Sequence, residues 1–320
     1  MSVNDNFKNL IAKFRPRTSK QTRISYFSSL KNIAKGTGLD FNEPYDFVKH
    51  YDAVMKYLMT LKTNVRKTKL ASVVVILQDP DYNDVEDEEL DEVLAKYNMQ
   101  MYMDAREVAK EEKEQKFSKK KEDNYISWAE VEKIYANLKK ETDHLWDPTL
   151  RLCKSQFFRL QDFVILSVYI LIPPRRSKDY TKFKIHNIDK KTDNYMEVPQ
   201  RKKKQSKFVF NDYKNASRLG TEFVDIPFSL KKIIDKWTKI NPFDYLIVNT
   251  KFEEMVVQSL TRILNRLFER EISTTMLRNI YLTSKFEHVD LKDLEETAHN
   301  MGNNQITRIL KYVKKAPKEE

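Results

Sequence analysis

Residues 271–314 read EISTTMLRNIYLTSKFEHVDLKDLEETAHNMGNNQITRILKYVK. Near the start of this stretch an arginine sits in a short apolar frame, Met276-Leu277-Arg278-Asn279-Ile280-Tyr281. An arginine buried without a partner is costly, so Arg278 is expected to point into a site or a buried pair. Near the end, Met301-Gly302-Asn303-Asn304 forms a Gly-containing turn. A short helical run follows and stops just past Tyr312, which lies 34 residues after Arg278. Alone, an arginine and a late tyrosine say little. They gain weight beside two earlier cations, Arg176 and Lys214.

Working outward, the whole chain has 320 residues, room for two domains with their own cores. It contains only 4 glycines, which argues against Gly-rich phosphate loops and a turn-dense all-β fold. Abundant Lys, Leu, Ile and Tyr favour helices. The formal net charge of +11 makes a polyanion the first partner to consider. A single cysteine, Cys153, excludes a disulfide framework and a Cys-rich zinc site. The N-terminus lacks the apolar core of a secretory signal. The most apolar run, Phe163 to Pro174, is too short to span a membrane. These features imply a soluble protein in a reducing compartment.

The N-terminal half reads as helices. Residues 1–18 are polar and basic and read as a short arm. Ser19 caps a helix with Ile24, Phe27, Leu30 and Ile33 on its apolar face, and Gly36 and Gly38 stop it. A second helix spans Tyr45 to Leu61. A third, Val65 to Gln78, turns Leu70, Val73, Val74 and Leu77 inward. Arg66, Lys67 and Lys69 lie near its start, where cations oppose the helix dipole. An external anion or a solvated basic turn explains them about equally. After an acidic stretch, Leu90 to Tyr102 forms a fourth helix. Residues 106–122 have few apolar positions and read as an inter-domain linker between a helical domain, 1–105, and a second domain, 123–320.

In the second domain Ser127 and Glu130 have capping-box spacing. Phe157 to Ile172 is a mostly apolar core helix ended by Pro173-Pro174, and Arg175-Arg176 follow at once. Extended runs come next: Phe183–Ile185, Tyr195–Val198, Lys207–Asn211 and Thr221–Ile226. Phe208 and Phe210 alternate with polar residues, as do Phe223 and, less cleanly, Ile226. The expected class is mainly α with a small antiparallel sheet (α+β).

Arg176, Lys214, Arg278 and Tyr312, in that order, are the residue types needed to break and rejoin a DNA strand without metal or ATP. A tyrosine hydroxyl attacks and keeps the bond energy in a phosphodiester-like link. Two arginine forks meet the charge on the phosphorane oxygens. A lysine protonates the departing 5′ oxygen. The bland readings are a surface cation for Arg176 and simple packing for Tyr312. Lys214 competes with Lys202, Lys203, Lys204 and Lys207, and the Arg201–Lys204 run reads as a solvated loop or a contact to backbone phosphates.

The second domain resembles the catalytic domain of the tyrosine recombinases, the phage-integrase family. That family's first arginine follows a buried helix in a pattern like T-G-x-R-x-x-E-L. Here Pro173-Pro174-Arg175-Arg176-Ser177-Lys178-Asp179-Tyr180 matches it, and the offset to Asp179 favours Arg176 over Arg175. The family's lysine sits in a β-hairpin, the setting of Lys214. Its H-x-x-R-H-T box corresponds to Thr275-Met276-Leu277-Arg278-Asn279-Ile280, and its L-G-H box, nine residues before the tyrosine, to Met301-Gly302-Asn303. Thr275 and Asn303 thus stand where the family has histidines. Neither is a useful base near pH 7, although Asn303 can donate to a phosphate oxygen and Thr275 weakly so. His299 lies close in sequence and reads more simply as a surface histidine.

The resemblance implies a site-specific recombinase or integrase with Tyr312 as nucleophile, Arg176 and Arg278 holding the non-bridging oxygens, and Lys214 as acid. That chemistry calls for no metal or nucleotide cofactor. The resemblance implies double-stranded DNA as partner and a homo-tetramer on two DNA sites, with a monomer or weak oligomer when free. Residues 1–105 would be the core-binding domain. Eight residues follow Tyr312, so any tail docking on a neighbour must be short. The Lys-, Asn-, Ile- and Tyr-rich composition suggests an AT-rich genome; integrases of phages, virophages and eukaryotic DNA transposons fit it, so the resemblance favours a virus or mobile element and a host cell or virion. A type IB topoisomerase and a DNA-binding protein that has lost cleavage remain as alternatives.

Overall fold

The computed structural model describes residues 3–40, 43, 45–78, 87–113, 118–147, 149–199, 205–285, 297, 300 and 301. The chain divides into two compact units, Met1–Glu114 and Gln115–Glu320.

The first unit is helical. Its start is a helix, α1 (Val3–Phe14), where the sequence suggests an arm. Phe7, Leu10 and Ile11 are buried and Phe14 packs beside them, the i, i+3, i+4, i+7 spacing of one helix face. The basic residues of α1 lie between those positions and mask the stripe when read by composition. In α2 (Lys20–Thr37) the Ser19 hydroxyl accepts from the Thr22 amide at 3.2 Å, and Gly38 ends the helix at φ +74°. Gly36 does not stop it. The helix runs through it, and a glycine is needed there because the ring of Tyr57 fills the space a Cβ would take. The expected single helix over Tyr45–Leu61 is two, α3 (Asp46–Lys49) and α4 (Tyr51–Met59), broken at His50. α5 (Thr63–Leu77) packs along α6 (Asp87–Lys113), which runs well past the expected end at Tyr102. Leu70, Val73, Val74 and Leu77 are buried as their spacing predicts.

Arg66 on α5 needs no external anion. Its guanidinium binds the Asp104 carboxylate of α6 at 2.7–3.1 Å, and both side chains are buried. Gln100 donates to the same carboxylate at 2.8 Å.

The second unit begins with α7 (Lys119–Glu122) and α8 (Trp128–Thr142), whose Ser127–Glu130 capping box is formed. α9 (Lys154–Ile170) is buried on nearly every face, the mark of a core helix. After it come α10 (Ser177–Thr181), β1 (Phe183–Lys184), β2 (Asn194–Glu197), β3 (Lys207–Phe210), α11 (Ala216–Leu219) and β4 (Glu222–Asp225). Then α12 (Phe228–Ile240), α13 (Val257–Phe268) and α14 (Thr274–Lys285) close the described part.

The strands form one sheet in the order β1-β2-β3-β4. β2–β3 and β3–β4 are antiparallel, while β1 and β2 are parallel, so the sheet is mixed. Residues 185–193 carry the chain back to the same end, as a parallel pair requires. Phe208 and Val224 face each other across the core side, and Phe183 and Tyr180 pack there too. No helix among the described residues is long and apolar enough to cross a membrane.

Candidate active site

The site is built where three segments of the second unit meet: the turn after α9, the start of α14, and residues 300–301. α9 ends before Pro173-Pro174, whose rings prevent its continuation. Arg175 and Arg176 follow, and Arg176 takes an extended conformation as the N-cap of α10. The two neighbouring arginines have different fates. Arg175 is sealed at 0% exposure, and Arg176 is half-buried.

Arg175 uses its whole fork inside the protein. Nε donates to Asp179 at 2.9 Å and Nη2 to Glu222 at 2.8 Å. Nη1 donates to the Asn300 carbonyl at 2.8 Å, and the guanidinium lies 4.0 Å from the Phe210 ring centroid. Its charged form is held up by the two carboxylates against the burial that opposes it.

Arg278 is carried by α14, anchored in the core by Met276, Leu277 and Ile280. It is 2% exposed. The first residues of α10 and α14 are joined by a 2.9 Å hydrogen bond between the Ser177 and Thr274 hydroxyls, both buried. Asp179 reports the resulting convergence. Burial pushes its carboxyl above the usual range, and Arg175, Arg176 and Arg278 all pull against that shift. Tyr169 on α9, fully buried, also feels both Asp179 and Arg278. Arg176 and Arg278, 102 residues apart in sequence, therefore share one electrostatic neighbourhood. Thr275 is exposed one residue along from Thr274.

Lys214 is exposed in the connection between β3 and β4. That connection is clipped to α10: Lys178 and Lys182 both bind Asp212, the latter at 3.2 Å. Burial alone would raise the Asp212 carboxyl, and the two lysines outweigh it and hold it below its usual range. Tyr213 is buried beside it and donates to the Gly220 carbonyl at 3.0 Å. Of the competing lysines, Lys207 pairs with Asp225 at 3.6 Å. Lys202, Lys203, Lys204, His299, Gly302, Asn303 and Tyr312 lie outside the described residues.

Two participants are not evident from sequence. Apolar–polar alternation turns Phe223 toward the core, but the structure reverses β4. Glu222 and Val224 face in, while Phe223 is 48% exposed. The register pairs Phe210 with Glu222, and Arg175 supplies the charge that an inward carboxylate needs. Arg175 itself was legible only as a neighbour of Arg176, although its i, i+4 spacing to Asp179 is the available signal.

No protein-family model matches the sequence, and no curated protein matches it significantly. Solved structures do. The XerH site-specific recombinase bound to its difH substrate aligns over 97% of this chain and 81% of its own, with TM-score 0.55 and 13% identity. The lambda integrase tetramer bound to a Holliday junction aligns over 99% and 78%, with TM-score 0.54 and 14% identity. The chain has the tyrosine-recombinase fold. Within that fold the match runs through both units, the helical first one included.

Proposed function

We propose that this protein is a site-specific DNA recombinase that cuts and rejoins DNA through a 3′-phosphotyrosyl intermediate. The observation that carries this reading is that the Ser177–Thr274 hydrogen bond ties the turn bearing Arg176 to the helix bearing Arg278 in a tyrosine-recombinase fold. Two arginines gathered by distant segments suit a tetrahedral phosphate, whose non-bridging oxygens their forks can meet together. Tyr312 attacks phosphorus, the bond to the 5′ oxygen breaks, and Lys214 gives that oxygen its proton. Asn303, with Thr275, completes the phosphate cage.

Residues 1–105 act as the core-binding domain, 106–122 as the linker and 123–320 as the catalytic domain, with duplex DNA as the partner. Lambda integrase is seen as a tetramer on a Holliday junction. The same arrangement is proposed here, four copies on two DNA sites. An origin in a virus or mobile element and an intracellular site of action belong to the same reading.

The test uses nicked duplexes, selected for tight binding from a random pool, that trap the covalent step. Wild type should form an adduct that survives denaturing electrophoresis, and Tyr312→Phe should not. Binding without any adduct would favour a protein that has lost cleavage. An adduct with supercoil relaxation but no joining between two sites would favour a type IB topoisomerase.

A further inference from the structure

We propose that Arg175 is a positioning residue that locks the arginine turn to the segment leading into Asn303 and Tyr312. The inference rests on the recombinase reading. Arg175 is one peptide bond from Arg176, and its Nη1 holds the Asn300 carbonyl, 125 residues away in sequence, at 2.8 Å. Asn300 stands three residues before Asn303 and twelve before Tyr312. One side chain therefore joins the turn that carries Arg176 to the backbone at Asn300.

The geometry is specific to arginine. Three acceptors lie in three directions: Asp179 at 2.9 Å, Glu222 at 2.8 Å and the Asn300 carbonyl at 2.8 Å. A planar fork with five donors satisfies them together, and a lysine ammonium cannot. Phe210 supports the guanidinium from its face, so the fork's plane is held as well as its hydrogen bonds.

Stability alone is a poor account of this arrangement. Buried ion pairs are often no more stabilising than apolar residues of the same volume. Here β4 also turns Phe223 to solvent and Glu222 to the core to complete the set. Val224 in β4 and Ile226 just after it, both buried, set that face inward, and Glu222 is the acid that the same face brings against Arg175. The third contact, to a main-chain carbonyl rather than a side chain, fixes the backbone path at Asn300. Met301 follows, fully buried, its amide bonded to the Thr297 carbonyl at 3.0 Å.

The test compares wild type with Arg175→Met and with the double variant Arg175→Met/Glu222→Gln. The double variant neutralises the carboxylate that loses its arginine and keeps Asp179, which Arg176 and Arg278 still face, so neither carboxylate position is left as an uncompensated charge. Hydrogen exchange is read on the peptide covering residues 297–301, and single-turnover adduct formation at saturating nicked duplex. The expected result is exchange at least tenfold faster in that peptide, with α9 and α12 unchanged. The adduct rate should fall about a hundredfold, while adduct amplitude and half-saturating DNA concentration stay at wild-type values. A merely structural role would lower amplitude and leave the rate of the remaining active protein intact, and that pattern would overturn the proposal. Unchanged exchange would overturn it too. If wild type forms no adduct, the recombinase reading fails, and the exchange arm alone decides whether Arg175 holds the segment.

Discussion

Arg175 and Arg176 show how strongly one position alters a residue's chemistry. Arg175 is enclosed by two carboxylates and a carbonyl, whereas Arg176 is half-buried at the cap of α10. The spacing from Arg176 to Asp179 was readable in sequence because it is a local pattern. The capture of Arg175 by Glu222 and Asn300 was not, since both partners are remote in sequence. The two absent histidines lead to a prediction at this scale. In the proposed reaction neither Thr275 nor Asn303 is a base near neutral pH, so water or hydroxide is left to take the Tyr312 proton. An ordinary tyrosine titrates near pH 10. The fraction ionised then rises about tenfold per pH unit below that value. The single-turnover adduct rate should therefore climb steadily from pH 6.5 to 8. A plateau across that range would reveal a general base and sink the argument.

At the scale of elements, periodicity predicted most helices and failed where a tertiary partner decided. The core faces of α5 and α9 follow directly from their apolar spacing. The helix α1 was hidden because lysines between Phe7, Leu10, Ile11 and Phe14 dominate its composition. β4 was read inside out because the carboxylate's partner comes from another segment. Arg66 is a third case. Its place near the start of α5 looked suited to an anion, yet the anion is Asp104 of α6, 38 residues on. This pair ties α5 to α6, the longest described helix of the first unit. Asp104→Ala leaves Arg66 buried beside an empty place, and removing one member of a buried pair costs about 3–5 kcal/mol. Urea unfolding should show that loss. The double replacement Arg66→Met/Asp104→Leu should recover most of it, because no unpaired charge remains. Equal destabilisation of both variants would mean that packing volume, not charge, dominates the site.

For the whole molecule, a net charge of +11 suggested a polyanion before any motif was read, but charge alone does not say which cations touch it. Arg66 and Arg175 are consumed internally, and Lys178, Lys182 and Lys207 are paired at the surface. In the proposed reading, the cations that meet DNA are sought first among the remainder. One candidate from the sequence is the Arg201–Lys204 run, which lies outside the described residues and between β2 and β3 in chain order. Each phosphate contact contributes about −0.9 to the slope of log affinity against log salt concentration on duplex DNA. Replacing Arg201, Lys202, Lys203 and Lys204 by glutamine should therefore flatten that slope by about 2 to 4 if most of the run contacts phosphates. The affinity loss should be similar across DNA sequences, since phosphate contacts position without reading bases. Titrations by fluorescence anisotropy at several salt concentrations, on a selected site and on random duplex, measure both quantities. An unchanged slope would assign the run to solvent and move the phosphate-binding surface elsewhere. A flattened slope on the selected site alone would mean that these side chains reach base edges.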